Sequence, residues 1–200
     1  MKSGTNFLAF SISLGPDLLY TSYTSDNVYI FYYLQLRVND TRDNHKDTHP
    51  VDIITYMDDA SHLQNEKLSF IKNVTCCSKF MFSADLEDAL IMINQVKNVN
   101  FDYDNQSGSC YDVKFVLVRY WSFSDKSNTI NEKKILQSSK AMTIRKNESK
   151  NGIEVLVVKD HPSTTPNHFD EIKCNDFFEI EIMHKEKSIG TINFPVVISY

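Results

Sequence analysis

No stretch of the chain approaches the roughly 20 consecutive apolar residues that a membrane-spanning helix needs, so a transmembrane segment is not expected. Nor is there a dense block of Lys and Arg. Against 26 Asp and Glu the chain sets 21 Lys and Arg, a formal net charge of -5. A phosphate backbone or an anionic membrane selects a basic face, so nucleic acid is excluded as the expected partner. The four cysteines, Cys76, Cys77, Cys110 and Cys174, contain no C-x-x-C pair, and their density is too low for a disulfide scaffold. Reduced thiols in a cytosolic protein are the expectation they set. Glycine and proline are scarce at five each, and no repeat or low-complexity segment is present.

What the chain does have is aromatic residues: thirteen Phe, ten Tyr and one Trp in 200 residues. Together with Val and Ile they suit a pleated, half-buried surface and favour strands. Hydrophobic residues at 42% and charged residues at 24% are ordinary for a folded protein, and a chain of this size buries roughly 70% of its unfolded surface. Disorder of the whole chain is therefore not expected.

Alternation locates the strands. Residues 7–14 read as a strand closed by Gly15-Pro16, although Met1-Lys2 and the apolar run after them also resemble a short signal peptide. Val28 to Val38 is the most strand-like run of all. A charged turn is expected from Asp40 to Asp47, ending at Pro50, then a short strand over Val51–Tyr56. Residues 57–75 show no sustained period and read as a linker. Beyond it, Lys79–Leu86 and Val96–Asp104 alternate, and Asn105 to Ser109 supplies a turn. Tyr111, Val113, Phe115, Leu117 and Trp121 give the next strand one dry face. Residues 124–150 suit a hairpin or a frayed edge, and Ile153–Val158 a strand. A hairpin is expected around Lys185-Glu186-Lys187, followed by a separate last strand, Val196 to Tyr200. Only Leu63–Leu68 and Leu86–Ile93 offer a helical rhythm. Seven or so strands in 78–200 point to an all-β fold, a two-sheet sandwich.

The succession of these segments resembles the arrestin family, in its broad α-arrestin branch. Phe10-Ser11-Ile12-Ser13-Leu14 followed by Asn27 to Leu34 is similar to the close of that family's N-terminal domain. Cys76-Cys77, then Phe80 to Leu86 and Val99 to Ser107, is similar to the opening of its C-terminal domain. Cys174 to Ile182 with Phe194-Pro195-Val196-Val197-Ile198 resembles its closing hairpin. The resemblance implies an immunoglobulin-like, arrestin-type β-sandwich. It implies the last strands of an N-terminal arrestin-like domain over 1–60, a linker over 61–77, and a C-terminal arrestin-like domain over 78–200. In function it implies a cytoplasmic adaptor, peripheral to the plasma membrane or endosomes, that binds membrane cargo or its regulators in endocytic protein transport. The Gly-Glu element of the family is missing around Leu86–Gln95. No P-P-x-Y motif is present, so direct recruitment of ubiquitin ligases is not implied.

His45, His49, His62, His161, His168 and His184 never fall at metal-ligand spacing with each other or with cysteine. Asp58-Asp59 and the Asp102, Asp104 pair lack a loop of oxygen donors with a glycine turn, and solvated strand ends explain them better. No nucleophile-elbow, dinucleotide or P-loop motif occurs. The expectation is no enzyme, with no catalytic residue, cofactor or metal. Tyr29, Phe31, Tyr32 and Tyr33 form the most interesting patch. Tyrosines there would edge a protein-binding surface. The same rings suit packing on sheet partners or another domain, and the residues favour that plainer reading. A second class of function is a secreted or cell-surface Ig-like binding module. Its support is the even cysteine count, the apolar start and four Asn-x-Ser/Thr sequons, at Asn39, Asn73, Asn105 and Asn147.

Overall fold

The computed structural model describes residues 11–13, 22–26, 29–39, 44–52, 60–63, 66–75, 78–125, 127–159, 164 and 171–199. Among them the chain is all-β, with fourteen strands and no helix. They are β1 (Tyr23–Thr24), β2 (Tyr29–Ile30), β3 (Tyr32–Asn39), β4 (Asn44–Val51), β5 (Leu68–Thr75), β6 (Ser78–Leu86) and β7 (Leu90–Met92). Then follow β8 (Val96–Asn105), β9 (Tyr111–Ser124), β10 (Thr129–Ser138), β11 (Met142–Ile144), β12 (Glu148–Val157), β13 (Ile172–His184) and β14 (Lys187–Ser199).

Two sheets make the sandwich. One runs β12-β8-β6-β5; the other runs β10-β9-β13-β14-β7, with β11 also on β9. Every pairing is antiparallel except β14 with β7. Period-two alternation turns Phe80, Phe82, Phe101 and Tyr103 of the first sheet toward Tyr111, Phe115, Phe178 and Phe194 of the second. The rings meet across the gap: Phe80 lies 4.1 Å from Tyr111 between centroids, and Phe101 5.6 Å from Phe115. The aromatic bias of the sequence is thus the core's filling. Along the edge, Phe70 on β5 reaches β14 where residue 190 is glycine; a Cβ built there would sit 2.0 Å from its ring.

The alternating runs found in the sequence become β6, β8 and β9. The β13–β14 hairpin turns through Lys185 and Glu186, both at positive φ (50° and 64°), as a two-residue hairpin of primed type demands. Other expectations are corrected. From Asn44 onward the charged run ending at Pro50 is strand β4, paired along its whole length with β3, while residues 40–43 of the expected turn lie outside the described residues. Within the predicted linker, Leu68–Thr75 forms β5 and pairs with β6. Leu86–Ile93 holds no helix but the end of β6 and the short β7. Val196 does not start a new strand: β14 runs unbroken through Pro195. The proline fits because, among the described residues, its one strand neighbour at that level is β13; β7 pairs only from Val197 onward. Of the strand expected over 7–14, residues 11–13 are exposed and form no strand; the rest of it, and most of Val51–Tyr56, lie outside the described residues.

Candidate binding surface

The chain Tyr29-Ile30-Phe31-Tyr32-Tyr33 is extended, so residues two apart share a face. β2 pairs with β1, and after a one-residue break at Phe31 the chain continues as β3, which pairs with β4. Tyr29, Phe31 and Tyr33 therefore fall in one row, their ring centroids 5.5 and 6.3 Å apart and their planes tilted by about 30°. The three rings are open to solvent: Tyr29 is 67% exposed, Phe31 64% and Tyr33 55%. Packing inside a sheet, the plainer expectation, is corrected for these three rings. Tyr32 points the other way and is half-buried, and Leu34 beside it is exposed. Ser25, between β1 and β2, donates from Oγ to Glu132 Oε1 at 2.8 Å, which ties this ribbon to β10 of the sandwich.

Within the sandwich lies a buried polar frame that sequence reading missed. Arg119 and Asp176 face each other in register on β9 and β13. Arg119 Nε donates to Asp176 Oδ1 at 2.7 Å, and Nη2 to Oδ2 at 2.8 Å. The Thr164 hydroxyl also donates to Oδ2, at 2.5 Å, while its oxygen accepts from Ile198 N–H and its own N–H donates to Ile198 O. One threonine thus bonds to both β13 and β14. A small cavity of about 80 Å³ beside it is lined by His62, Leu63, Cys174 and Asp176 among others. On the opposite face of the same sheet, Glu179 is buried and accepts from Tyr120 Oη at 2.6 Å and from Lys133 Nζ at 2.7 Å. Burial and the bond to Glu179 push the Tyr120 hydroxyl up. For Lys133, burial pulls downward, but the bonds to Glu179 and Tyr120 outweigh it and its pKa is raised.

The remaining candidates scatter. His49 and His62 are exposed. His184 closes β13, its Nδ1 3.1 Å from the Cys110 carbonyl oxygen and its ring 5.2 Å from Tyr111. His45 is in β4, and His161, His168, Asp58, Asp59, Cys76 and Cys77 lie outside the described residues. Asp102 bonds to Lys67 and Asp104 to Gln106, both on the outer face of the first sheet. There a shallow depression of about 500 Å³ opens between Lys67, Asp85, Asn100 and Asn151. Among the described residues no three His, Cys, Asp or Glu gather where they could hold a metal ion. Cys110 is an exposed thiol and Cys174 a buried one.

The sequons divide sharply. Asn73 on β5 and Asn147 in the β11–β12 turn are exposed, the latter at φ 53°. Asn105 is buried, and all four hydrogen-bonding positions of its amide are used. Its Nδ2 donates to the carbonyls of Ser109 and Arg145, at 2.9 and 2.8 Å. Its Oδ1 accepts from the N–H and Oγ of Ser107, at 3.0 and 2.6 Å. Asn39 ends β3.

Compared with known proteins, the chain matches no family model and no curated protein.

Proposed function

We propose that this chain is a non-enzymatic, arrestin-like adaptor that binds membrane cargo or its regulators in endocytic protein traffic. The reading of family, cytoplasmic place and role rests on the sequence resemblance. The observation that supports binding is the row Tyr29, Phe31 and Tyr33, held in water on a ribbon outside the sandwich core. Aromatic side chains carry much of the energy of protein interfaces, since each covers a large area while losing little rotamer freedom. A partner protein's apolar surface is the occupant that such a row fits. Purification of the tagged chain from cells, with and without serine at Tyr29, Phe31 and Tyr33, tests it. Identified membrane or trafficking proteins that accompany the native chain and are lost from the variant support the reading. An identical set retained by the variant overturns it.

A second reading, the secreted or cell-surface Ig-like module, draws support from the exposed sequons at Asn73 and Asn147. Glycan mass on either residue in protein from its native cells would replace the first reading with this one.

A further inference from the structure

Strand β12 is an edge. Among the described residues its one hydrogen-bonded neighbour is β8, and its other side offers a row of backbone donors and acceptors. It is long, ten residues, and two of its outer-face side chains are wide open: Ile153 is 60% exposed and Val155 56%. Val96, opposite Val157 on β8, extends this apolar patch. On the inner face the pattern is charged. Lys150 is exposed, while Glu154 is half-buried and has no hydrogen-bond or ion-pair partner among the described residues.

We infer that two copies of this chain pair through β12, antiparallel and edge to edge, about a twofold axis at Gly152. Such a twofold keeps the inner faces of both copies on one side only in registers whose opposed residue numbers share an even sum. Of these, the register centred on residue 152 sets Lys150 of each copy against Glu154 of the other, so the contact forms twice. Nine residues of each strand, 148 to 156, are then paired, almost the whole of β12. A centre at 151 sets Lys150 against Gly152 and Glu154 against Glu148, a like charge; a centre at 153 sets Lys150 against Leu156 and Glu154 against Gly152; centres at 150 and 154 oppose like charges. On the outer face Ile153 meets Asn151 directly and Ile153 of the other copy diagonally, within reach of branched side chains. Gly152 brings no side chain to the axis; its place on the inner face is filled by the Phe101 ring. Two four-stranded sheets become one sheet of eight.

Burial without compensation raises the Glu154 carboxyl, consistent with a group that lacks its partner in the single chain. The opposing view of the same residue is that a charge on the inner face of an edge strand keeps other strands away. The two views give opposite predictions. The dimer does not depend on the aromatic row, although it would present two such rows to a partner and raise its avidity.

Sedimentation equilibrium on the full chain over a wide dilution series decides between them. The native chain is expected to dimerise reversibly. Lys150→Glu, an exposed change that leaves the fold intact, weakens the dimer by about tenfold or more, because two attractive pairs become repulsive. Adding Glu154→Lys to that variant restores the reciprocal pairs and the dimer. A native chain that stays monomeric throughout, or a Lys150→Glu chain that dimerises with unchanged strength, overturns the proposal.

Discussion

Arg119 and Asp176 stand directly opposite on neighbouring strands and lock together through two parallel hydrogen bonds on the inner face of the sandwich, both almost fully buried. The pair sits at the end of the aromatic core, and the Thr164 hydroxyl adds a third bond to the carboxylate. A buried pair of this kind contributes less to stability than its bonds suggest, because both charges lost their water. Removing one partner is another matter. Asp176→Ala is expected to destabilise the chain by about 3–5 kcal/mol, since it deprives a buried guanidinium of its carboxylate. Replacing Arg119 and Asp176 together by Met and Leu should cost much less. Urea unfolding of the three proteins measures both; equal losses for single and double variants would contradict the account.

Gly190 faces the Phe70 ring so closely that no side chain fits between them. Gly190→Ala must displace the Phe70 ring, which neighbours Phe80 at 6.4 Å, and disturb the edge where β5 meets β14. The expected loss is about 1–3 kcal/mol, the usual cost of overpacking. A truncated partner relieves it: with Phe70→Ala already present, Gly190→Ala should add little further loss. Thermal unfolding of the four combinations gives the coupling directly.

Tyr103 is buried on β8 and its hydroxyl donates to Glu148 Oε1 at 2.9 Å. Burial first, and the carboxylate second, push its pKa up to about 12 from the ordinary 10.0. The folded state therefore holds this proton more tightly than the unfolded one. Its contribution is complete below about pH 10 and fades as the pH rises from there through about 12. Tyr103→Phe removes this dependence, so its stability should fall less steeply than the native chain's across that window. Denaturant titrations at several alkaline pH values would show parallel curves if the tyrosine played no part.

The amide of Asn105 ties the β8–β9 turn to the Arg145 carbonyl at the β11–β12 turn. Asn105→Ala takes a donor from each of the part-buried Ser109 and Arg145 carbonyls and the acceptor from the buried Ser107 N–H, and is expected to cost about 1–3 kcal/mol. Asn73→Ala, at an exposed position of an edge strand, should stay within about 0.5 kcal/mol of native. Comparison of the two unfolding midpoints tests the contrast.

Where burial falls on one face, the sequence showed the strands: Lys79–Leu86, Val96–Asp104 and the run from Tyr111 to Trp121 all carry period-two alternation. Where polar residues fill a strand, alternation disappears, and β4, with its Asn, His, Lys, Asp, Thr and Pro, reads as a turn. β5 was lost in the same way, its Ser69, Ile71 and Asn73 all exposed on one face. Pro195 looked like a boundary because composition does not say that β14 is open on one side at that level. The Arg119–Asp176 pair joins residues 57 apart, brought together by strand register alone. The one sign of it was an arginine at an inward position in the row that holds Leu117 and Trp121. For the aromatic row the sequence supplied the residues and their spacing. Exposure, which separates a core face from a binding face, depends on what the rest of the chain covers.

The central claim is that Tyr29, Phe31 and Tyr33 meet another protein. Its most direct test replaces Phe31 with a photo-crosslinking phenylalanine analogue in living cells, illuminates, and identifies the adducts by mass spectrometry. The account predicts discrete adducts to membrane cargo or trafficking proteins through residue 31, and none when the analogue is placed at exposed Asn73. Position 31 yielding no adduct beyond those seen at position 73 would contradict it.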